Sequence, residues 1–139
     1  MSFRHSLVAV ALASALLVAC ATTTSPTGRT QYVGGVSQQQ LNQLGEQAFA
    51  EAKQKTPQSR DPRQNAYVGC VVNAVIRQLP SPWDQQRWDY ALFENAEANA
   101  WALPGGKVGV YTGIFKVATN QDQLAAVVAH EIGHVIARH

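Results

Sequence analysis

Two histidines stand four residues apart with a glutamate directly after the first, in the run His130-Glu131-Ile132-Gly133-His134. This is the H-E-x-x-H pattern. On a helix, residues four apart differ by about 40° around the axis and lie one turn apart, so both imidazoles can aim at one ion. Zinc takes such nitrogens at about 2.0–2.1 Å in a tetrahedral shell. The chemistry this supports is peptide hydrolysis. Free water is too weak a nucleophile for an amide at neutral pH, and zinc can lower the pKa of water from 15.7 to about 7 while polarising the scissile carbonyl. Glu131 follows the first ligand and is placed to take the proton from the attacking water and pass it to the leaving amine. Three of the four histidines fall in the last ten residues, a concentration not expected of chance.

The pattern works only on a helix, and the surrounding residues predict one. Asn120 is a good N-cap with Gln123 three residues on. Leu124, Val128, Ile132, Val135 and Ile136 form a stripe for packing. The two histidines point roughly 160° away from its centre. Ala126, Gly133 and Ala137 flank the histidine face and leave room for other segments to approach.

Catalytic zinc sites usually have three protein ligands and a water. Two are present in the motif. His139 lies five residues past His134, about 140° around the axis, so it does not join the pair. The extended pattern with a third histidine needs glycine at position 137, where this chain has alanine. Glu94 and Glu97 remain open, although no spacing rule favours them. The other source is a later helix, and the expectation is a chain cut within its catalytic helix, before the third-ligand helix.

Upstream, residues 1–19 read as a secretory signal: Arg4 and His5 precede an uncharged run too short to span a bilayer. It ends Leu17-Val18-Ala19-Cys20, which resembles a lipobox, so Cys20 is the expected lipidation site; a plain secretory signal is the alternative. Residues 20–36 then comprise the lipidated cysteine and a Thr-, Ser-, Gly- and Pro-rich stretch expected to be a flexible tether. Cys70 has no partner within the chain once Cys20 is lipidated, and its apolar segment suggests a small core residue. Residues 37–139 are the expected incomplete zinc metallopeptidase domain. A first helix is predicted from Ser37 to about Thr56, with Leu41, Leu44, Ala48, Phe49 and Ala52 on one face. A second runs from Pro62 to about Leu79, striped by Val68, Val71, Val72 and Val75. Strands are predicted at 89–94, 98–103 and 107–112, the last two forming a hairpin around Pro104-Gly105-Gly106. The net charge of +2, with scattered lysines and arginines, gives no reason to expect a nucleic-acid partner.

Three stretches carry a family resemblance: Asn99-Ala100-Trp101-Ala102-Leu103-Pro104-Gly105-Gly106-Lys107-Val108, then Val110-Tyr111-Thr112-Gly113, then Leu124 through Val135 with Arg138-His139. They resemble the membrane-associated zinc endopeptidases that include the HtpX-type heat-shock proteases, the CAAX prenyl endopeptidases and the Oma-type proteases, and among these the bacterial periplasmic lipoproteins most. The resemblance implies an α+β, zincin-like (gluzincin) fold with two N-terminal helices, a small antiparallel sheet or hairpin and the catalytic helix. It implies one Zn2+ held by His130, His134 and a glutamate on a downstream helix, with Glu131 as general base. It also implies that Asn99, Ala100 and Trp101 lie on an edge strand that pairs with substrate; from the pattern alone an ordinary buried hairpin is equally consistent, and Trp101 reads as core. The function so implied is a metalloendopeptidase of the bacterial cell envelope acting on unfolded or misassembled proteins. Its partners would be protein or peptide substrates and the membrane, reached through Cys20. Ala21 after that cysteine points to the outer membrane, facing the periplasm. The competing class is a non-catalytic envelope lipoprotein that binds partners. A structural zinc protein fits poorly, since closed sites use four ligands and no cysteines lie near.

Overall fold

The computed structural model describes residues 21–24, 28, 30–33 and 35–138. The expected signal at 1–19, Cys20 and His139 lie outside the described residues. The chain divides into two units, Met1–Val36 and Ser37–His139. Among the described residues no helix is long and apolar enough to cross a membrane.

In the first unit, β1 (Ala21–Thr24) pairs antiparallel with β2 (Thr30–Val33), Ala21 opposite Val33 and Thr24 opposite Thr30. The expectation for this stretch was a flexible tether, and two short strands occupy part of it. Thr, Tyr and Val suit a pleated backbone, and Gly28 takes φ +79° between the strands, a conformation that glycine adopts at no steric cost.

The second unit begins with α1 (Gln38–Lys55). Ser37 and Gln40 form a reciprocal capping box: Ser37 Oγ accepts from the Gln40 N–H at 3.2 Å, and Gln40 Oε1 accepts from the Ser37 N–H at 2.9 Å. Helix α2 (Pro62–Ile76) starts on Asp61, whose carboxylate accepts from the Arg63 and Gln64 N–H groups, with Pro62 in the first turn. Three residues beyond Ile76 the chain continues only as tighter turns, Leu79 N–H to Ile76 C=O. Then come β3 (Asp89–Phe93), β4 (Ala100–Leu103), β5 (Lys107–Tyr111), a 3₁₀ turn (Thr112–Lys116) and α3 (Gln121–Ala137).

The β4–β5 hairpin is antiparallel, as its turn residues predict, with Ala100 opposite Val110. The sheet as a whole is not antiparallel: β3 joins β5 in parallel, Asp89 opposite Lys107, so the order is β3-β5-β4 and the sheet is mixed. The reason lies in β5, whose residues Lys107 to Val110 are all buried, so it needs cover on both faces and both edges. The connection from Phe93 crosses the end of β5 and is pinned there by the Gly113 N–H and Thr112 hydroxyl, both donating to the Asn95 carbonyl. A period-two pattern identifies a strand but not its neighbour.

One sheet face carries the larger core, built from Val68 and Val72 of α2, Leu92, Val108 and Val110 of the sheet, and Leu124, Val128 and Ile132 of α3. The other face holds Ala91, Phe93, Trp101 and Leu103 with Phe49 of α1. Helix α1 meets the sheet unit through Phe49 and Gly45, where an added Cβ would come within 1.9 Å of the Pro104 carbonyl. That narrow contact line explains two departures from the expected stripe: Leu44 is 58% exposed and Ala48 is exposed. Cys70 is also exposed, not a core residue, because it stands two positions from Val68 and so turns away from the Val68–Val72 face.

Lys107 sits on the α1 face of β5 with its side chain 6% exposed. Its ammonium reaches Glu46 Oε2 of α1 at 2.7 Å and Asp89 Oδ2 of β3 at 2.9 Å. Burial acts to lower its pKa, but hydrogen bonds to Glu46 and Asp89 outweigh it and hold the group above its ordinary value. The hydrogen bond from Lys107 keeps Asp89 below its own.

Candidate metal centre

Helix α3 is held in place from one side and exposed on the other. Its N-cap, Asn120, accepts from the Gln123 N–H at 3.0 Å. Gln123 Oε1 in turn accepts from the Thr119 N–H at 2.8 Å, one residue earlier than a capping box would place it. Leu124, Val128 and Ile132, one turn apart, are fully buried, while His130 and His134 on the opposite face are exposed. Packing therefore fixes the rotation of the helix, and that rotation presents the histidines.

The two imidazoles converge. Their Nε2 atoms are 3.0 Å apart, with rings at 86° and centroids 4.5 Å apart. Twice the zinc–imidazole bond length of about 2.0–2.1 Å exceeds that separation, so a single ion can bond both nitrogens. The donor set therefore fits a zinc ion. Glu131 is half-buried and lies between the two histidines in the sequence.

The described residues contain no group of three His, Cys, Asp or Glu side chains able to hold a metal. Glu94 and Glu97, which the sequence left open, are thus not brought to the histidine pair; Glu97 Oε1 instead accepts from Asn99 Nδ2 at 3.2 Å.

The predicted substrate edge is at the sheet margin nearest α3. Tyr111 N–H donates to the Asn99 carbonyl at 3.0 Å. Antiparallel alternation then directs the backbone groups of Trp101 and Leu103 toward β5, and those of Ala100 and Ala102 outward. The side chains of Ala100 and Ala102 pack toward α3. Trp101 does not turn its ring to the α3 side: it lies on the opposite sheet face, stacked on Phe93 at 5.7 Å and edge-on to Phe49 at 6.0 Å. An added Cβ at Gly109 would meet that ring at 2.2 Å, so the glycine makes room for it. The far edge, β3, is closed by Ser59 N–H to Leu92 C=O and Glu94 N–H to Pro57 C=O, both at 2.8 Å. No described segment pairs with the outer side of β4.

Sequence reasoning missed the Lys107–Glu46–Asp89 cluster. Its available signal was a lysine opening a strand that is apolar throughout.

Comparison with known proteins bears on the same region. The model for "Peptidase family M48" matches residues 62–139. The mitochondrial metalloendopeptidase OMA1 of Schizosaccharomyces pombe is 40% identical over 73 residues, 52% of this chain and 21% of that protein. The beta-barrel assembly-enhancing protease of Escherichia coli is 31% identical over 97 residues, 70% of this chain and 20% of that protein. The OMA1 of Saccharomyces cerevisiae is 40% identical over 58 residues. The chain spans about a fifth of the length of these curated relatives.

Proposed function

The chain belongs to peptidase family M48, and from that footing we propose that it carries the first part of the active site of a zinc-dependent endopeptidase of the bacterial cell envelope. The observation that supports this most is the 3.0 Å approach of His130 Nε2 to His134 Nε2 on a helix whose other face is fully buried. His130 and His134 would hold the ion, with a third protein ligand from outside the described residues. Zinc bound there would lower the pKa of water toward 7 and polarise the peptide carbonyl. Glu131 takes the proton from the attacking water and delivers it to the leaving amine. The outward backbone groups of Ala100 and Ala102 hold an extended peptide beside the histidines. The substrates proposed are unfolded or misassembled envelope proteins, a reading supported by the name of the Escherichia coli relative. A lipid on Cys20 anchors the protein to the outer membrane, with the following residues as its connection to the catalytic unit.

The test is Glu131→Gln in the whole protein. Peptide turnover is expected to fall by about 10²–10⁴-fold while zinc content, measured by elemental analysis, stays at one per chain. Undiminished turnover would remove Glu131 from its role.

A further inference from the structure

Leu44 of α1 is 58% exposed and belongs to neither hydrophobic cluster. Ala48, one turn on, is exposed as well. Their neighbours in the helix fix where these side chains lie. Gly45 and Phe49 are the buried residues of α1 and mark the line that meets the sheet. Glu46 follows Gly45 by about 100° around the axis, and it reaches Lys107 of β5, which also holds Asp89 of β3. That flank therefore faces the closed side of the sheet. Leu44 precedes Gly45 by the same angle, so it projects from the opposite flank. With the strands in the order β3-β5-β4, this second flank faces β4 and the open edge beyond it.

Strand β4 supplies the other half of the surface. Trp101 and Leu103 are half-buried and turn to the α1 side, where Trp101 meets Phe49 edge-on at 6.0 Å. Along the flank of α1, the apolar stretch ends at the ion pair between Glu51 and Lys55. The two charges there compensate each other, so the stretch before them offers apolar contact and no net charge.

We propose that Leu44 and Ala48, with the outer rims of Trp101 and Leu103, form an apolar ledge that captures unfolded polypeptide on the sheet face away from the histidines. The proposal rests on the reading of β4 as a peptide-binding edge. A strand laid antiparallel on that edge turns the side chains opposite Ala100 and Ala102 toward α3, and the one opposite Trp101 toward α1. Strand spacing of about 4.8 Å carries that side chain past the Trp101 ring to the flank that bears Leu44. Folded proteins cover both their strand edges and most of their large apolar side chains. A segment that offers the two together is an unfolded one, and the ledge thereby favours unfolded substrates over folded ones.

The experiment uses the whole protein loaded with zinc and carrying Glu131→Gln, so that bound chain is not cut. Binding of fluorescently labelled, reduced and alkylated casein is read by anisotropy. Leu44→Asp should weaken it by about 10-fold. Gln47→Asp brings the same charge to the solvent side of the same helix and should leave it unchanged. Leu44 is exposed, so its replacement spares the fold. In a second arm, Leu44→p-benzoylphenylalanine should photocrosslink to casein, and Gln47→p-benzoylphenylalanine should not. Crosslinking at 44 to the protein's own chain, equal crosslinking at both positions, or binding unmoved by Leu44→Asp overturns the ledge. Casein cut by the protein with Glu131 intact, with no crosslink at 44, overturns the ledge and leaves the peptidase reading standing. Casein held at 44 but never cut by that protein keeps the ledge and overturns the peptidase reading.

Discussion

Two groups of polar side chains converge in the Ser37–His139 unit, and they differ in what surrounds them. Lys107 lies under α1 with two carboxylates within 2.9 Å, one from a helix and one from the neighbouring strand. Its charge is met inside the fold, and its position ties α1 to the sheet. His130 and His134 also approach within 3.0 Å, but on an exposed face where the described residues supply no acid. One cluster is complete, a buried lysine met by two carboxylates that keep solvent contact, so it reads as structure. The other is convergent and exposed, held by a helix whose opposite side does the packing. The lesson is that polar convergence alone does not mark a site; the surroundings of the cluster do.

The comparison is tested first at the histidines. His130→Ala should weaken zinc binding by more than about 100-fold, beyond the usual cost of losing a metal's outer-shell partner. The same change should leave hydrogen-exchange protection of α3 (Gln121–Ala137) within about 0.5 kcal/mol, because the side chain is exposed. A large loss of protection would mean that the pair is structural after all.

Lys107→Met should do the reverse. It leaves zinc content unchanged and lowers the protection of α1 (Gln38–Lys55) by about 2–4 kcal/mol. The figure sits at or below the usual cost of breaking a buried pair, because Glu46 and Asp89 keep much of their solvent contact. Unchanged exchange in α1 would show that the cluster is decoration.

The same cluster sets a pH window. Asp89 is held below its ordinary pKa, so its contribution is present above about pH 4 and is lost as pH falls through the depressed value. Lys107 is held above its ordinary pKa, so its contribution is full below about pH 10.4 and is lost as pH rises through the raised value. Stability of the α1 contact should therefore be flat between those limits. Asp89→Asn should remove the acid limb and leave the alkaline one; an acid limb that persists unchanged would assign it elsewhere.

How far the sequence could be read follows the same division. The histidine motif, the Asn120 cap, the Pro62 start and the hairpin at Pro104-Gly105-Gly106 depend on residues close together in the chain, and the structure has each of them. What the sequence did not reveal depends on distant partners. The parallel pairing of β3 depends on a connection that crosses the end of β5, held there by Gly113 and Thr112. Leu44 and Cys70 are apolar in type but lie off the narrow contact lines of their helices. Lys107 finds one partner 18 residues away, beyond the reach of any local pattern.

The two faces of α3 suggest a last, smaller test at Gly133. Glycine inside a helix costs roughly 0.5–1 kcal/mol relative to alanine. At Gly45 a structural reason is visible, since an added Cβ would run into the Pro104 carbonyl. At Gly133 an added Cβ would meet nothing within 4 Å among the described residues. Gly133→Ala should therefore raise the protection of α3 by about 0.5–1 kcal/mol, with zinc retained. Position 133 also flanks the histidines, so if the exposed face receives the substrate closely, the added methyl group should lower kcat/KM even as stability rises. A gain in stability with activity unchanged would show that the peptide lies farther from this face of the helix than the open edge of β4 implies.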